Sequence, residues 1–304
     1  MRGVAAAGAA AVLFAAIFYL SGAVDVDADV MFGTRILITC ACYAFALAHP
    51  AARRLLRDYW TALRSLRWGM LLLPVLCALV GAQLWLFSWA PLHGHALDAS
   101  LGFLLLPLGI VLGSKLLLRA EVTRIQCAAV GAAAVAVGLK LALTPEVSWV
   151  TAAICLGYPA YFVLRRRYGL DNPAAFGVEV AIIAPVAILL MRFGGPFPDG
   201  ATERFALIGV GIAGATAMFA YLAAAQRLPL PVFGVLGYLE PVLLVVVALL
   251  LGERLHGSDL LTYGLLAVAL GLLAVEGFRN ARSPVGVRDD PAVRAGTRPR
   301  PLRR

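Results

Sequence analysis

A chain of 304 residues that is 62% apolar and only 14% charged, with a mean hydropathy of +0.87, is outside the range of soluble domains, which rarely exceed about 50% apolar residues. It reads as an integral membrane protein. Ten spans of about 20 residues would use roughly 200 positions, leaving no room for a second, soluble domain. The formal charge of +9 raises a nucleic-acid partner only until its placement along the chain is followed.

Windows of about 19 residues predict spans at 4–23, 30–47, 69–90, 97–118, 124–142, 149–165, 174–191, 204–225, 231–251 and 259–277. The first begins "MRGVAAAGAAAVLFAAIFYLSGAV", with the single Arg, apolar run and small residues of a signal peptide. It is read as an uncleaved helix, because its removal would break the symmetry described below. The second carries Arg35, the one basic residue well inside a span. Prolines interrupt later spans at Pro74, Pro107, Pro159, Pro185 and Pro241. Each removes a backbone hydrogen bond, which a membrane tolerates where protein or a wet cavity satisfies the freed group. Cys40, Cys42, Cys77, Cys127 and Cys155 fall within spans without metal or disulfide spacing and read as small apolar filler. The tail from Ser283, rich in Pro and Arg, reads as a disordered cytoplasmic extension.

With the N-terminus inside, the cytoplasmic segments hold 21 Lys and Arg and the outer segments 4. That is the positive-inside pattern. The basic charge orients the chain, N- and C-termini cytoplasmic, and offers contact to anionic lipid at that face. It argues against nucleic acid.

The stretch "SLGFLLLPLGIVLGSKLLLRAEVTRIQCAAVGAAAVAVG" (100–138) parallels "VLGYLEPVLLVVVALLLGERLHGSDLLTYGLLAVALG" (235–271). Each has Leu-Gly-aromatic, a mid-span proline, a closing glutamate, and then glycines seven apart, Gly131/Gly138 and Gly264/Gly271. The first element closes spans four and five, the second spans nine and ten. A repeat of five helices must invert, since five is odd, and inverted repeats mark secondary transporters with a site between the halves. The expected organisation is all-α: residues 1–147 as the first five-helix repeat, 148–280 as the second, and 281–304 as the tail.

The paired endings, with "YLAAAQRLPLPVFGVLGYLEP" (221–241), "YFVLRRR" (161–167) ahead of Glu179, and "LDASLGFLLLP" (97–107), resemble the EamA branch of the drug/metabolite transporter superfamily. The second half is especially similar to its RarD-type members. The resemblance implies a ten-helix inner-membrane transporter of bacterial type, most naturally an exporter of small organic metabolites or drugs. Where that family commonly has Asn before Trp in span three, this chain has Gln83 two residues before Trp85. Where it has Gly-Glu after span four, this chain reads Arg119-Ala120-Glu121.

Within the spans the candidate site residues are few. Glu240 stands in an apolar segment just before Pro241. A charge at the bilayer centre costs about 2.5–3.5 kcal/mol on insertion scales, so such residues usually face a cavity and act. The missing N–H of Pro241 should free the carbonyl of Gly237, one turn back, so that carboxyl and carbonyl point at one spot. Glu240 then reads as a proton-coupling or cation-binding group, with a packing role as the bland alternative. Arg35 either pairs inward, with Glu240, Glu179 or an anionic solute, or snorkels to the interface. Glu179 serves a gate or the surface. Tyr158, Tyr161, Tyr221 and Tyr238 suit the walls of an organic-solute site or ordinary packing. Pro107 and Pro241 are the expected helix breaks; Glu121 and Glu253 read as structural. No catalytic set, Walker motif, metal site or cofactor is expected, which ranks an embedded lipid-modifying enzyme or a non-transporting scaffold below a transporter. An uncoupled facilitator or an uptake permease of the same fold stays open.

Overall fold

The computed structural model describes residues 2–118, 123–143, 148–228, 233, 236–255 and 257–282. Regular structure among them is all helical: α1 (Arg2–Ala23), α2 (Ala28–Ala46), α3 (Pro50–Ser65), α4 (Gly69–Leu92), α5 (Ala96–Leu118), α6 (Arg124–Leu143), α7 (Trp149–Arg167), α8 (Pro173–Phe193), α9 (Ala201–Arg227), α10 (Leu239–Leu250) and α11 (Gly257–Arg282). Six of them, α1, α2, α4, α5, α8 and α9, are long and apolar enough to cross a membrane. The chain is a multi-pass membrane protein. Glu121 and the tail from Ser283 lie outside the described residues.

Helix starts follow local chemistry. The Asp27 carboxylate accepts from the amide of Asp29 at 2.8 Å and caps α2. The Asn172 side chain accepts from Ala174 at 2.8 Å, and Pro173 follows at the first helical position of α8, where a missing N–H costs nothing. His49 and Pro50 open α3 in the same manner.

α3 is the helix that no hydropathy window predicts. Its apolar residues Ala52, Leu55, Leu56, Tyr59, Trp60 and Leu63 recur at the 3.6-residue period, and Arg53, Arg54, Arg57 and Arg64 occupy the opposite, exposed face. Tyr59 and Leu63 are buried against the bundle. With such two-sided chemistry α3 is not among the helices apolar enough to cross a membrane, and its pattern is that of helices that lie at a membrane surface.

The helices meet through small residues. A Cβ at Gly102 would stand 2.7 Å from Ile154, and one at Gly109 2.7 Å from Pro159, so α5 and α7 approach almost backbone to backbone. Neighbouring pairs include α1 with α9, α4 with α7, α2 with α8, α2 with α9, α5 with α10 and α6 with α11. The buried apolar residues form three clusters. One gathers Ile17, Phe18, Phe87, Phe103 and Leu244; a second Tyr59, Leu76, Tyr161 and Leu170; a third, between α5, α6 and α11, Leu104, Ala133 and Leu270.

Two helix-break expectations change. α5 runs without interruption through Pro107; one proline removes one bond, and the rest of a 23-residue helix holds it straight through. Pro241 falls in the first turn of α10, where backbone N–H groups have no intrahelical partner and proline is tolerated. The break lies before it, where Gly237 and Tyr238 form a turn and the Gly237 amide bonds the carbonyl of Phe233 at 3.0 Å. The carbonyl of Gly237 is therefore not orphaned by Pro241 within a continuous helix.

The other end of α10 is fixed as firmly. Gly252 takes φ +91°, its amide bonds Leu249 at 3.1 Å, and the amide of Glu253 returns to Ala248 at 3.2 Å. These are the paired bonds of a Schellman end, which needs a residue at ease with positive φ. The turn delivers the Glu253 carboxylate to the start of α5, where its two oxygens accept from Ala96 and Leu97 at 2.6 Å each. Glu253, expected to be structural, caps a helix 157 residues away in sequence.

Candidate functional site

The polar residues inside the bundle sort into two groups. The first is built from four helices. Arg35 on α2 is only 6% exposed, its guanidinium lies 5.1 Å from the Phe87 ring centroid on α4, and its stem passes Gly214 on α9, where a Cβ would come within 3.3 Å of Nε. Gly214 is thus the notch that admits the side chain. Arg35 interacts electrostatically with Tyr158 on α7 and Glu240 on α10, and Glu240 in turn with Tyr221 on α9. Tyr158 stacks on Phe162 and tilts against Phe103, while Tyr221 meets Phe233 edge-on at 4.9 Å.

Glu240 occupies the first turn of α10, the end at which the helix dipole is positive and amides are unpaired. Burial works against a charge on Glu240, while the helix start and Arg35 work for one. Arg35 Nη1 is buried and makes no hydrogen bond among the described residues. A cation, a carboxyl and two phenols converge here with donor capacity to spare.

The second group is a linear relay. Arg165 on α7 donates through Nη1 to the Tyr161 hydroxyl one turn earlier, and that hydroxyl donates to Glu179 Oε2 on α8 at 2.6 Å. Arg165 also holds the carbonyls of Leu170 at 3.3 Å and Asn172 at 2.8 Å. Glu179 is fully buried, and its Oε1 makes no hydrogen bond among the described residues; neither do the buried hydroxyls of Tyr43 and Tyr59. Both phenols feel the charges of Glu179 and Arg165. Glu179 is neither at the surface nor paired with Arg35.

Three expected site residues fall elsewhere. Gln83 is buried and donates to the carbonyl of Ala153 at 3.0 Å, lying against Gly157, so it ties α4 to α7. Tyr238 turns to the cluster between α5, α6 and α11 and interacts with Glu276. Gly237 is exposed in its turn.

No protein-family model matches the chain. Among curated proteins it is 36% identical over 232 residues to the chloramphenicol-sensitive protein RarD of Pseudomonas aeruginosa, covering 75% of this chain and 78% of that one. It is 30% identical over 284 residues to an uncharacterized transporter of Pasteurella multocida, covering 91% and 97%. The chain belongs to the RarD-type transporters. A solved crystal structure at 18% identity, with a TM-score of 0.59 over 91% of this chain and 98% of that one, shares the fold.

In this RarD-type transporter, sequence reading passed over two participants. Arg165 stands in "YFVLRRR" (161–167) and among the cytoplasmic arginines, but no site role is given to it; its spacing of four from Tyr161 was the available signal. Glu276 on α11 is 6% exposed and accepts from the Thr123 hydroxyl at the start of α6. It lies at the end of a predicted span, where an acid reads as ordinary.

Proposed function

We propose that the chain is a secondary transporter of the bacterial inner membrane, with both termini cytoplasmic, that exports small organic solutes by alternating access between two inverted five-helix halves. α1, α2, α4, α5 and α6 form the first half and α7 to α11 the second. The neighbour pairs support this division. Exchanging corresponding helices turns α1–α9 into α7–α4, α5–α7 into α10–α1 and α2–α9 into α8–α4, and each pair has its counterpart among the packed neighbours.

The observation that carries the proposal is the electrostatic coupling of Arg35 on α2 with Glu240 on α10, beside Tyr158 and Tyr221. A charge pair shared between halves is a site whose electrostatics change when the halves rock. Glu240, at a helix start next to the Gly237–Tyr238 turn, is the group that gains and loses a proton; Arg35 receives the anionic or strongly polar part of the solute; Tyr158 and Tyr221 wall its organic part. The Pasteurella relative, among others, is named as a transporter, which supports transport over membrane-embedded chemistry. The name of the Pseudomonas protein makes an amphenicol the first solute to try.

The test reconstitutes wild type and Glu240→Gln in liposomes with a pH-sensitive dye inside, and adds amphenicols, amino acids and aromatic metabolites. Solute-dependent proton flux that disappears in Glu240→Gln supports the assignment. Solute movement that persists unchanged in the variant makes Glu240 a packing residue and the protein a facilitator.

A further inference from the structure

A sizeable cavity lies away from the Arg35–Glu240 group. It is a laterally open groove of about 580 Å³ between α2, α3, α8 and α9, within the roughly 300–1,000 Å³ typical of ligand pockets. Its lining is almost wholly apolar, and Leu47, Leu56, Trp60, Gly177, Ile182 and Phe219 define its walls. Ile182 and Phe219 are also exposed on the bundle surface, so the groove opens toward lipid.

The roof of this groove has the opposite character. The α3 residues next to the groove-lining Ala52 and Leu56 are Arg53 and Arg57, and Arg54 and Arg64 share their exposed face. Arg53 donates to the carbonyl of Ala48, which places its guanidinium at the mouth beside Leu47. Arg57 Nε donates to the carbonyl of Arg53. Among the described residues no carboxylate lies within 4.0 Å of these four guanidinium groups; the one acid on α3, Asp58, leaves them unneutralised. Arg64 stands over the Trp60 ring at 5.8 Å and Arg67 over Trp68 at 5.5 Å, the aromatic and basic pairing of a membrane interface. The groove thus presents an apolar slot below an arginine rim, and guanidinium forks match phosphate oxygens bidentately.

We propose that this groove is a binding site for an anionic glycerophospholipid of the surrounding leaflet. One acyl chain lies along α2 and α8 under Trp60, and the headgroup phosphate sits on Arg53 and Arg57. A zwitterionic lipid offers the same chain but carries a cation that the arginine rim repels. The occupant also touches Tyr43, which lines the groove and borders the Glu179 relay, so it abuts the part of the protein that holds the second buried acid. The assignment does not depend on what the protein transports.

The test uses the full-length protein, stripped of lipid in mild detergent and incubated with phosphatidylglycerol or phosphatidylcholine of identical chains, with retained lipid counted by native mass spectrometry. Wild type should retain phosphatidylglycerol ~5-fold better, about one interfacial arginine's worth of attraction. Arg53→Gln with Arg57→Gln should bring the ratio to about one. Ala181→Trp, which fills the groove from an exposed wall position on α8, should lower retention of both lipids. Arg192→Gln, at the far end of α8, should leave the ratio as in wild type. Equal retention by wild type, or a preference untouched by the paired arginine change, overturns the proposal. So does displacement of both lipids alike by an amphenicol, which would give the groove to solute. The arginine substitutions are on the exposed face and leave the packed face of α3 intact.

Discussion

Arg165 reaches the Tyr161 hydroxyl from one turn along the same helix, and that hydroxyl reaches Glu179 on the next. Removing the cation leaves a buried carboxyl with only its phenol, and breaking a buried charge network typically costs about 3–5 kcal/mol. Arg165→Leu should therefore destabilise the protein by roughly 3 kcal/mol, read from unfolding in mixed micelles. Adding Glu179→Gln to it should recover most of that loss, because the uncompensated charge goes with it. Tyr59 carries a pH signature. Burial pushes its phenol up to about 12 from an ordinary value of 10.0, with Glu179 adding to the rise and Arg165 opposing it. The neutral phenol is favoured in the folded chain, so its contribution is intact below pH 10 and is lost as pH climbs through 12. Melting temperatures followed across that window should fall in wild type and fall less in Tyr59→Phe. At this scale the sequence exposed Arg35 and Glu240 at once, since a lone charge in an apolar run has few explanations. It hid Arg165, because three consecutive arginines at a helix end look like orientation signals whichever one turns inward.

The helices show where averaging succeeds and where it fails. Mean hydropathy placed ten segments, and α1, α2 and α4 to α9 follow them closely. It passed over α3 because five arginines in residues 53–67 cancel its apolar stripe in any average; only periodicity reveals it. It also merged the residues before α10 into one span, since a turn of Gly-Tyr is as apolar as a helix. Close helix contact gives a sharp prediction. A Cβ at Gly109 would lie 2.7 Å from Pro159 and 3.1 Å from the carbonyl oxygen of Cys155, so Gly109→Leu should cost at least the 1–3 kcal/mol of ordinary overpacking. The four-residue spacing of Gly109 and Gly113 is visible in the sequence; that both face Pro159 and Val163 of α7 is not. Glu253→Ala deprives α5 of its cap and should cost about 1–2 kcal/mol, visible as a lowered melting temperature with solute binding retained.

For the whole molecule, the repeat in 100–138 and 235–271 predicts that one half mirrors the other, and the reciprocal neighbour pairs are what the proposed division expects. The sequence offered Glu240, Glu179 or an anionic solute as the inward partner of Arg35 and could not choose among them, since Arg35 and Glu240 are 205 positions apart and nothing local links them. The proposed orientation makes a direct prediction. With an impermeant maleimide on intact cells, Gly94→Cys in the turn between α4 and α5 should label from outside. Asp171→Cys between α7 and α8 should label only after permeabilisation. The reverse pattern would invert the topology.

The cap on α5 also bears on how the protein is made. The amides of Ala96 and Leu97 wait for an oxygen pair that leaves the ribosome 157 residues later, roughly 8–30 s at ordinary elongation rates. During that interval the start of α5 is held by water or lipid headgroups alone. A first half expressed by itself would carry that unmet need permanently, whereas co-expression with the second half, supplied on a separate message, would restore it.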